Sequence, residues 1–257
     1  MDLGVEGRVA LVAASTGGLG LAVATSLAAE GARVVVTGRD LERARSVAAT
    51  LPGATAFHLD LGVPGAPAET VDRVTAELGS VEILVTNGPG PKPKPASDTS
   101  AEDLSEAIDG LLLPQQRLIA SVLPGMVKRG WGRILAIGSS GITAPLPNLV
   151  LSNVGRSALA AYIKTLASEQ AHQGVTANLL LPGRINTDRV DALDTAAAAR
   201  RDTELQTVRA ESFAAIPAGR YGRPEEFGAA AAFLCSDSAS YITGVALRCD
   251  GGLVRSL

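Results

Sequence analysis

Short apolar runs, each followed by a helical pattern, recur along the whole chain, and this alternation narrows the available folds more than any other feature. Arg8-Val-Ala-Leu-Val-Ala precedes a helical pattern from Leu19 to Glu30, and Arg33-Val-Val-Val-Thr precedes one from Leu41 to Leu51. The rhythm continues through Ala54-Thr-Ala-Phe-His-Leu, Val81-Glu-Ile-Leu-Val-Thr, Arg133-Ile-Leu-Ala-Ile and Val175-Thr-Ala-Asn-Leu-Leu-Leu, ending at Val245-Ala-Leu-Arg-Cys. Strands apolar on both faces and separated by helices predict an α/β fold with a doubly wound parallel sheet. Nothing in the 257 residues resembles a charge block or a low-complexity linker, so the chain reads as a single domain, 1–257.

Composition narrows the partners. A formal net charge of −3 without a Lys/Arg stripe argues against nucleic acid. No apolar run reaches the ~18 residues of a membrane span, and Met1-Asp-Leu-Gly-Val-Glu lacks the basic and apolar regions of a secretory signal. A cytoplasmic protein with a small-molecule substrate is the expectation. Cys235 and Cys249 are too few for a disulfide framework and lack ligand spacing, so both read as buried thiols. His58 and His172 form no metal constellation with them, and no metal site is expected.

The first apolar run leads into Ala14-Ser15-Thr16-Gly17-Gly18-Leu19-Gly20 and on into a helical stretch ending at Glu30. Glycines in a strand-to-helix turn let the backbone approach a pyrophosphate, which the free N–H groups and positive end of the helix attract. Such turns also serve structure alone. Position in the first strand-to-helix turn favours a dinucleotide, with Ser15, Thr16, Gly18, Leu19 and Gly20 around it. The second run ends at Thr37-Gly38-Arg39, where an NAD-specific site would carry a carboxylate for the ribose 2′-hydroxyl. Arg39 suits a 2′-phosphate, so NADP(H) is favoured over NAD(H); otherwise this arginine only solvates a loop. Asp60, after the third run, either caps a turn or meets the adenine edge.

These motifs resemble the short-chain dehydrogenase/reductases of the classical type, over Gly7 to Gly252, and among them 3-oxoacyl-carrier-protein reductases. Thr16-Gly17-Gly18-Leu19-Gly20 falls on the family's glycine-rich turn, with Ala14 where its first Gly usually stands. Thr86-Asn87-Gly88 falls on its Asn-Asn-Ala-Gly segment, and Pro182-Gly183-Arg184-Ile185-Asn186-Thr187 on the segment that flanks the nicotinamide. Arg220-Tyr-Gly-Arg-Pro-Glu-Glu-Phe and Tyr241 through Gly252 match its C-terminal signature. The resemblance implies a Rossmann-like fold, cofactor contacts from Asn87, Gly88, Pro182, Gly183, Ile185 and Thr187, and a homo-oligomer, tetramer or dimer.

The family's catalytic tetrad of Asn, Ser, Tyr and Lys is largely missing. Leu111 takes the Asn position; the Ser position falls on Ser139 or, with a loop shifted by one, Ser140. The Tyr-x-x-x-Lys pair becomes Ser152 and Arg156, still one helical turn apart. A Ser hydroxyl is a much weaker acid than a phenol, and arginine stays protonated. Ser139, Ser140 and Ser152 can still hold a carbonyl, and Arg156 can hold a ribose or an oxyanion. Alternatively Ser152 is a helix cap and Arg156 a surface charge. The reading is an NADP(H)-dependent oxidoreductase on a carbonyl or alcohol, such as a ketone or 3-oxoacyl thioester. The alternatives are a non-redox lyase, isomerase or cyclase on the same fold, or a cofactor-binding protein without turnover. Gly88-Pro-Gly-Pro-Lys-Pro-Lys-Pro95 reads as a stiff wall of the site or a rigid surface loop, with Lys92 and Lys94 able to attract an anionic arm. Residues 184–220 read as a helical substrate lid, its apolar stripe of Leu205, Val208, Phe213 and Ile216 facing either the substrate or the core.

Overall fold

A computed structural model describes residues 2–255. Its strands are β1 (Val9–Val12), β2 (Arg33–Gly38), β3 (Thr55–His58), β4 (Ile83–Thr86), β5 (Gly132–Ile137), β6 (Val175–Pro182) and β7 (Ala246–Cys249). They form one parallel sheet in the order β3-β2-β1-β4-β5-β6-β7. The helices are α1 (Gly18–Ala29), α2 (Leu41–Ala48), α3 (Ala66–Leu78), α4 (Ala101–Leu111), α5 (Leu113–Arg129), α6 (Val150–Gln170), α7 (Asp188–Arg201), α8 (Leu205–Ala215) and α9 (Pro224–Leu234). The doubly wound α/β expectation holds. No helix among the described residues is long and apolar enough to cross a membrane.

Alternation along β1 shows why these strands are apolar on both sides. Val9, Leu11 and Ala13 join a core with Val74 of α3, Leu118 of α5 and Leu159 of α6, whereas Ala10 and Val12 join another with Val23 and Leu27 of α1 and Phe227 of α9. The outermost strands differ from the expectation of full burial. Ala246 and Leu247 of β7 are exposed, and Thr55 and Ala56 of β3 are half-buried, because helices cover a sheet edge incompletely. Cys235 is buried and Cys249 half-buried; burial pushes the Cys235 thiol up to about 12, which makes it inert at neutral pH.

Strand order reverses between β1 and β4, the switch point beyond whose C-terminal ends such sheets place ligands. The turn from β1 to α1 is fastened there. Fully buried Ser15 donates its hydroxyl to the Val12 carbonyl at 2.8 Å and accepts from the Thr37 N–H at 2.9 Å. The Asn87 amide donates to the Ala14 carbonyl at 3.3 Å. Ala14 itself is held at φ 49°, in the left-handed region where a Cβ costs about 1–2 kcal/mol. Ala14→Gly should therefore raise stability by about 0.5–1 kcal/mol after the greater chain entropy of glycine is counted. Thermal unfolding checks this, and a lowered Tm would show that the turn is not strained as described.

Candidate active site

Gly17, the residue ahead of α1, has no side chain to cap the helix, and the first turn carries no carboxylate. Its N–H groups are thus left for an anion. Gly18 has φ +55° with open space around it, and a side chain at Gly20 would overlap the Ala14 carbonyl oxygen. Thr16, Gly17 and Gly18 line a cleft of about 420 Å³ whose far wall includes Thr187. Leu19 packs on the α1–α9 core, and the Ser15 hydroxyl is occupied within the turn. Segment 182–187 is braced from behind: the Gly183 N–H donates to the Cys249 carbonyl at 2.9 Å, buried Ile185 bridges Gly222, and Thr187 donates to the Ile185 carbonyl at 3.3 Å.

Arg39 is exposed just past β2. Sequence reading missed Arg43, which lines the cleft beside Thr16 and Gly17 and comes within 3.4 Å of where a side chain on Gly17 would begin. The signal was Asp40, which caps α2 by accepting from the Arg43 N–H at 3.0 Å and so turns this residue toward the glycines. Asp60 caps a turn, accepting from the Gly62 N–H at 2.9 Å. A cradle shaped by glycines, an open helix N-terminus and Arg43 beside it fit a phosphate-bearing dinucleotide, with Arg39 exposed just past β2.

Ser139 and Ser140 follow the C-terminal end of β5, and Arg156 of α6 reaches the same strand end. Ser139 is half-buried and accepts from the Gly141 N–H at 3.1 Å, which leaves its own hydrogen free to donate, while Ser140 is buried. Exposure thus favours Ser139 of the two. Ser152 lies on the first turn of α6, half-buried, with no protein hydrogen-bond partner among the described residues. One turn on, Arg156 donates to the Ile137 carbonyl at 2.7 Å. Burial, with a smaller contribution from the charge of Arg189, pushes its guanidinium down to about 10, so it is still a cation at neutral pH. Leu111 is buried, its Cδ1 2.7 Å from where a side chain on Gly155 would begin. Hydrocarbon therefore meets α6 at Gly155. Two buried polar atoms, Thr86 Oγ1 and Gln115 Oε1, lack protein partners, and the Gln115 amide lies beside Gly88.

No tyrosine substitutes for Ser152. Burial moves Tyr162 and Tyr221 upward, away from easy proton exchange; Tyr221 also donates to Asp194 at 2.7 Å, and Tyr241 is fully exposed. Among the described residues no group of three His, Cys, Asp or Glu is placed to hold a metal.

The proline-rich segment is fastened to the entrance of α6: the Lys94 N–H donates to the Asn148 carbonyl at 2.8 Å and the Val150 N–H to the Lys94 carbonyl at 3.4 Å. Lys94 is not available to a ligand, because its ammonium pairs with Asp103, whose carboxyl it holds down to about 2. Helices α7 and α8 form a hairpin joined by Arg201–Glu211 (2.6 and 2.8 Å) and Arg209–Asp191 (2.7 Å). Beneath it, fully buried Asp194 pairs with Arg184 and accepts from Tyr221. Val208 and Ile216 are buried, and Ile216 packs with Val190 and Tyr221, so this part of the stripe faces the hairpin's own small core.

The chain matches the family model described as enoyl-(acyl carrier protein) reductase over residues 13–254. It is 34% identical over 252 residues to the 3-oxoacyl-(acyl-carrier-protein) reductase of Escherichia coli strain K12, covering 96% of this chain and 98% of that protein. To dehydrogenase/reductase SDR family member 4 of Sus scrofa it is 35% identical over 263 residues, covering 98% and 89%. L-sorbose reductase from Gluconobacter frateurii, solved in complex with NADPH and L-sorbose, superposes with a TM-score of 0.93 at 28% identity over 100% of both chains.

A part-buried cation without a carboxylate partner burdens the fold, since the lowered pKa of Arg156 records how strongly its surroundings disfavour the charge. Arg156→Gln, which removes the charge and keeps a donor for the Ile137 carbonyl, is expected to raise the Tm of the ligand-free protein at pH 7. A fall in Tm would instead make Arg156 a stabilising strut.

Proposed function

This chain belongs to the short-chain dehydrogenase/reductase family, and we propose that it is an NADP(H)-dependent oxidoreductase of carbonyl or alcohol substrates with altered proton delivery. The observation that carries this is the glycine cradle at the open α1 N-terminus, with Arg43 beside it. The match to reductases over nearly the whole chain supports it, as does the NADPH in the L-sorbose reductase structure.

In this reading Gly18, Gly20 and Thr16 hold the pyrophosphate, Arg39 and Arg43 hold the 2′-phosphate, and Asn87, Gly88 and Pro182–Thr187 frame the nicotinamide. The bound cofactor supplies or accepts the hydride. Ser139 donates to the substrate oxygen with the hydrogen its bond from Gly141 leaves free, and Ser152 offers a second donor. Arg156 supplies a fixed positive charge beside them and, unlike a tuned phenol, releases no proton at neutral pH. The proton then passes to or from water or the substrate itself. General acid catalysis is worth about 10²–10⁴ in rate, so slow turnover on simple ketones is expected. The hairpin of α7 and α8 serves as the lid, and the exposed β7 edge with Tyr241 and Leu247 serves as a contact between copies in a homo-oligomer.

Two measurements test the reading. NADPH should bind and protect the protein more than NADH, and Arg39→Ala with Arg43→Ala should remove most of that preference, at least about tenfold, while leaving NADH binding nearly unchanged. Equal binding of the two nucleotides by the unaltered protein would refute the assignment. Ser152→Tyr with Arg156→Lys should raise NADPH-dependent ketone reduction by about 10², near the low end for a restored general acid because Leu111 still excludes the polar relay. Firm NADPH binding without consumption in either protein would point to a non-redox reaction.

A further inference from the structure

We propose that a cavity of about 500 Å³, walled by α7, α8 and residues 220–223, is a binding site for a small aromatic anion, a carboxylate or phosphate monoester carried on a ring. The site goes beyond the redox reading, because Ser139, Ser152 and Arg156 are all absent from its lining. Such a volume falls within the range of small-molecule sites, which join an apolar wall to a few directed polar groups. Here the apolar wall is Phe213 and Tyr221, packed edge to face with ring centroids 4.8 Å apart and an interplanar angle of 73°. The Tyr221 ring is fixed by its hydroxyl bond to Asp194 at 2.7 Å, and Phe213 is only half-buried.

The polar side of the cavity is cationic, since Arg209, Arg220 and Arg223 all line it together with Asp191. Arg220 holds Glu226 through two bonds, at 2.9 and 2.7 Å, and Arg223 shares that same carboxylate at 3.2 Å. Arg209 is bound at one corner only. Its Nη2 donates to Asp191 at 2.7 Å, its Nη1 makes no protein bond among the described residues, and its Nε is buried without a partner. Arg201, on the same hairpin, shows the alternative, with two bonds to Glu211 at 2.6 and 2.8 Å. Three guanidinium groups thus stand against two carboxylates, one of them shared, and one fork keeps donors to spare. A buried N–H without a partner is costly, and an oxyanion is what a guanidinium fork binds best. An anion whose charge meets Arg209 and whose ring lies against Phe213 uses both walls, whereas inorganic phosphate uses one.

The test is titration of the ligand-free protein with benzoate and phenyl phosphate, against benzamide and inorganic phosphate, followed by protein NMR. At least one aromatic anion should bind at least about tenfold tighter than both controls. Arg209→Gln should remove that preference, whereas Asp191→Asn, which breaks the same pair but frees the fork, should tighten binding by at least about threefold. A pair that only staples the hairpin would weaken binding in both variants. Arg200→Gln, an exposed change at the far end of α7, should alter nothing. No binding, aromatic anions binding no tighter than the controls, or Asp191→Asn failing to tighten binding would overturn the site. Asn186 lines this cavity and the nucleotide cleft alike, so the titration is repeated with saturating NADPH. Binding that NADPH abolishes and Arg209→Gln leaves untouched would place the anion at α1 and overturn the site as well.

Discussion

The hydroxyl of Ser15 bonds both Val12 and Thr37, and Asn87 reaches the Ala14 carbonyl, so one turn is fastened to β1, β2 and β4 together. Because parallel strands are joined by helical crossovers, the connections leave the sheet in opposite directions on either side of β1 and open a crevice there. The depth of that crevice is set by how closely α1 approaches the strand ends. Gly20 lets it come into contact with the Ala14 carbonyl, which brings the uncapped N–H groups of α1 to the cleft floor. The left-handed Ala14 is the conformational cost of this geometry.

The changes at the reacting end belong together physically. Leu111 packs against Gly155, next in sequence to Arg156, and sets hydrocarbon against α6 where the resemblance would place a polar side chain. Ser152 leaves an unpartnered hydroxyl there, a donor with little acidity. The site keeps hydrogen-bond donors and positive charge and loses a proton reservoir.

Sequence made the sheet legible because short runs apolar on both faces, spaced by helices, suit little besides a parallel sheet covered on both sides, and the observed strands fall within or beside the runs read from it. The nucleotide turn was legible for a similar reason: glycine at a strand-to-helix junction carries a narrow geometric meaning. Arg43 was not, since an arginine on the first turn of a helix looks like any solvated charge until the helix's direction is known. Lys94 misled in the opposite sense. Its partner Asp103 lies across a turn, and nothing in the spacing distinguishes a paired lysine from one open to an anion. The lid stripe was ambiguous in sequence because a helix facing ligand and a helix facing its partner show the same period; in the fold Ile216 and Phe213 pack with Tyr221 in a small core, and Phe213 also lines a pocket.

Why the cation at 156 is an arginine follows from what remains for it to do. A lysine beside a phenol is useful because its charge tunes a neighbouring acid, and its compact ammonium does so without imposing direction. With Ser at 152 there is no acid to tune. A guanidinium brings instead a planar fork, of which one arm is fixed by the Ile137 carbonyl. Even lowered to about 10 it keeps its proton throughout the physiological range, so the charge it presents does not depend on pH. The position therefore offers a fixed charge and directed donors in place of a tuned acid, and the cost of burying that charge falls on the fold.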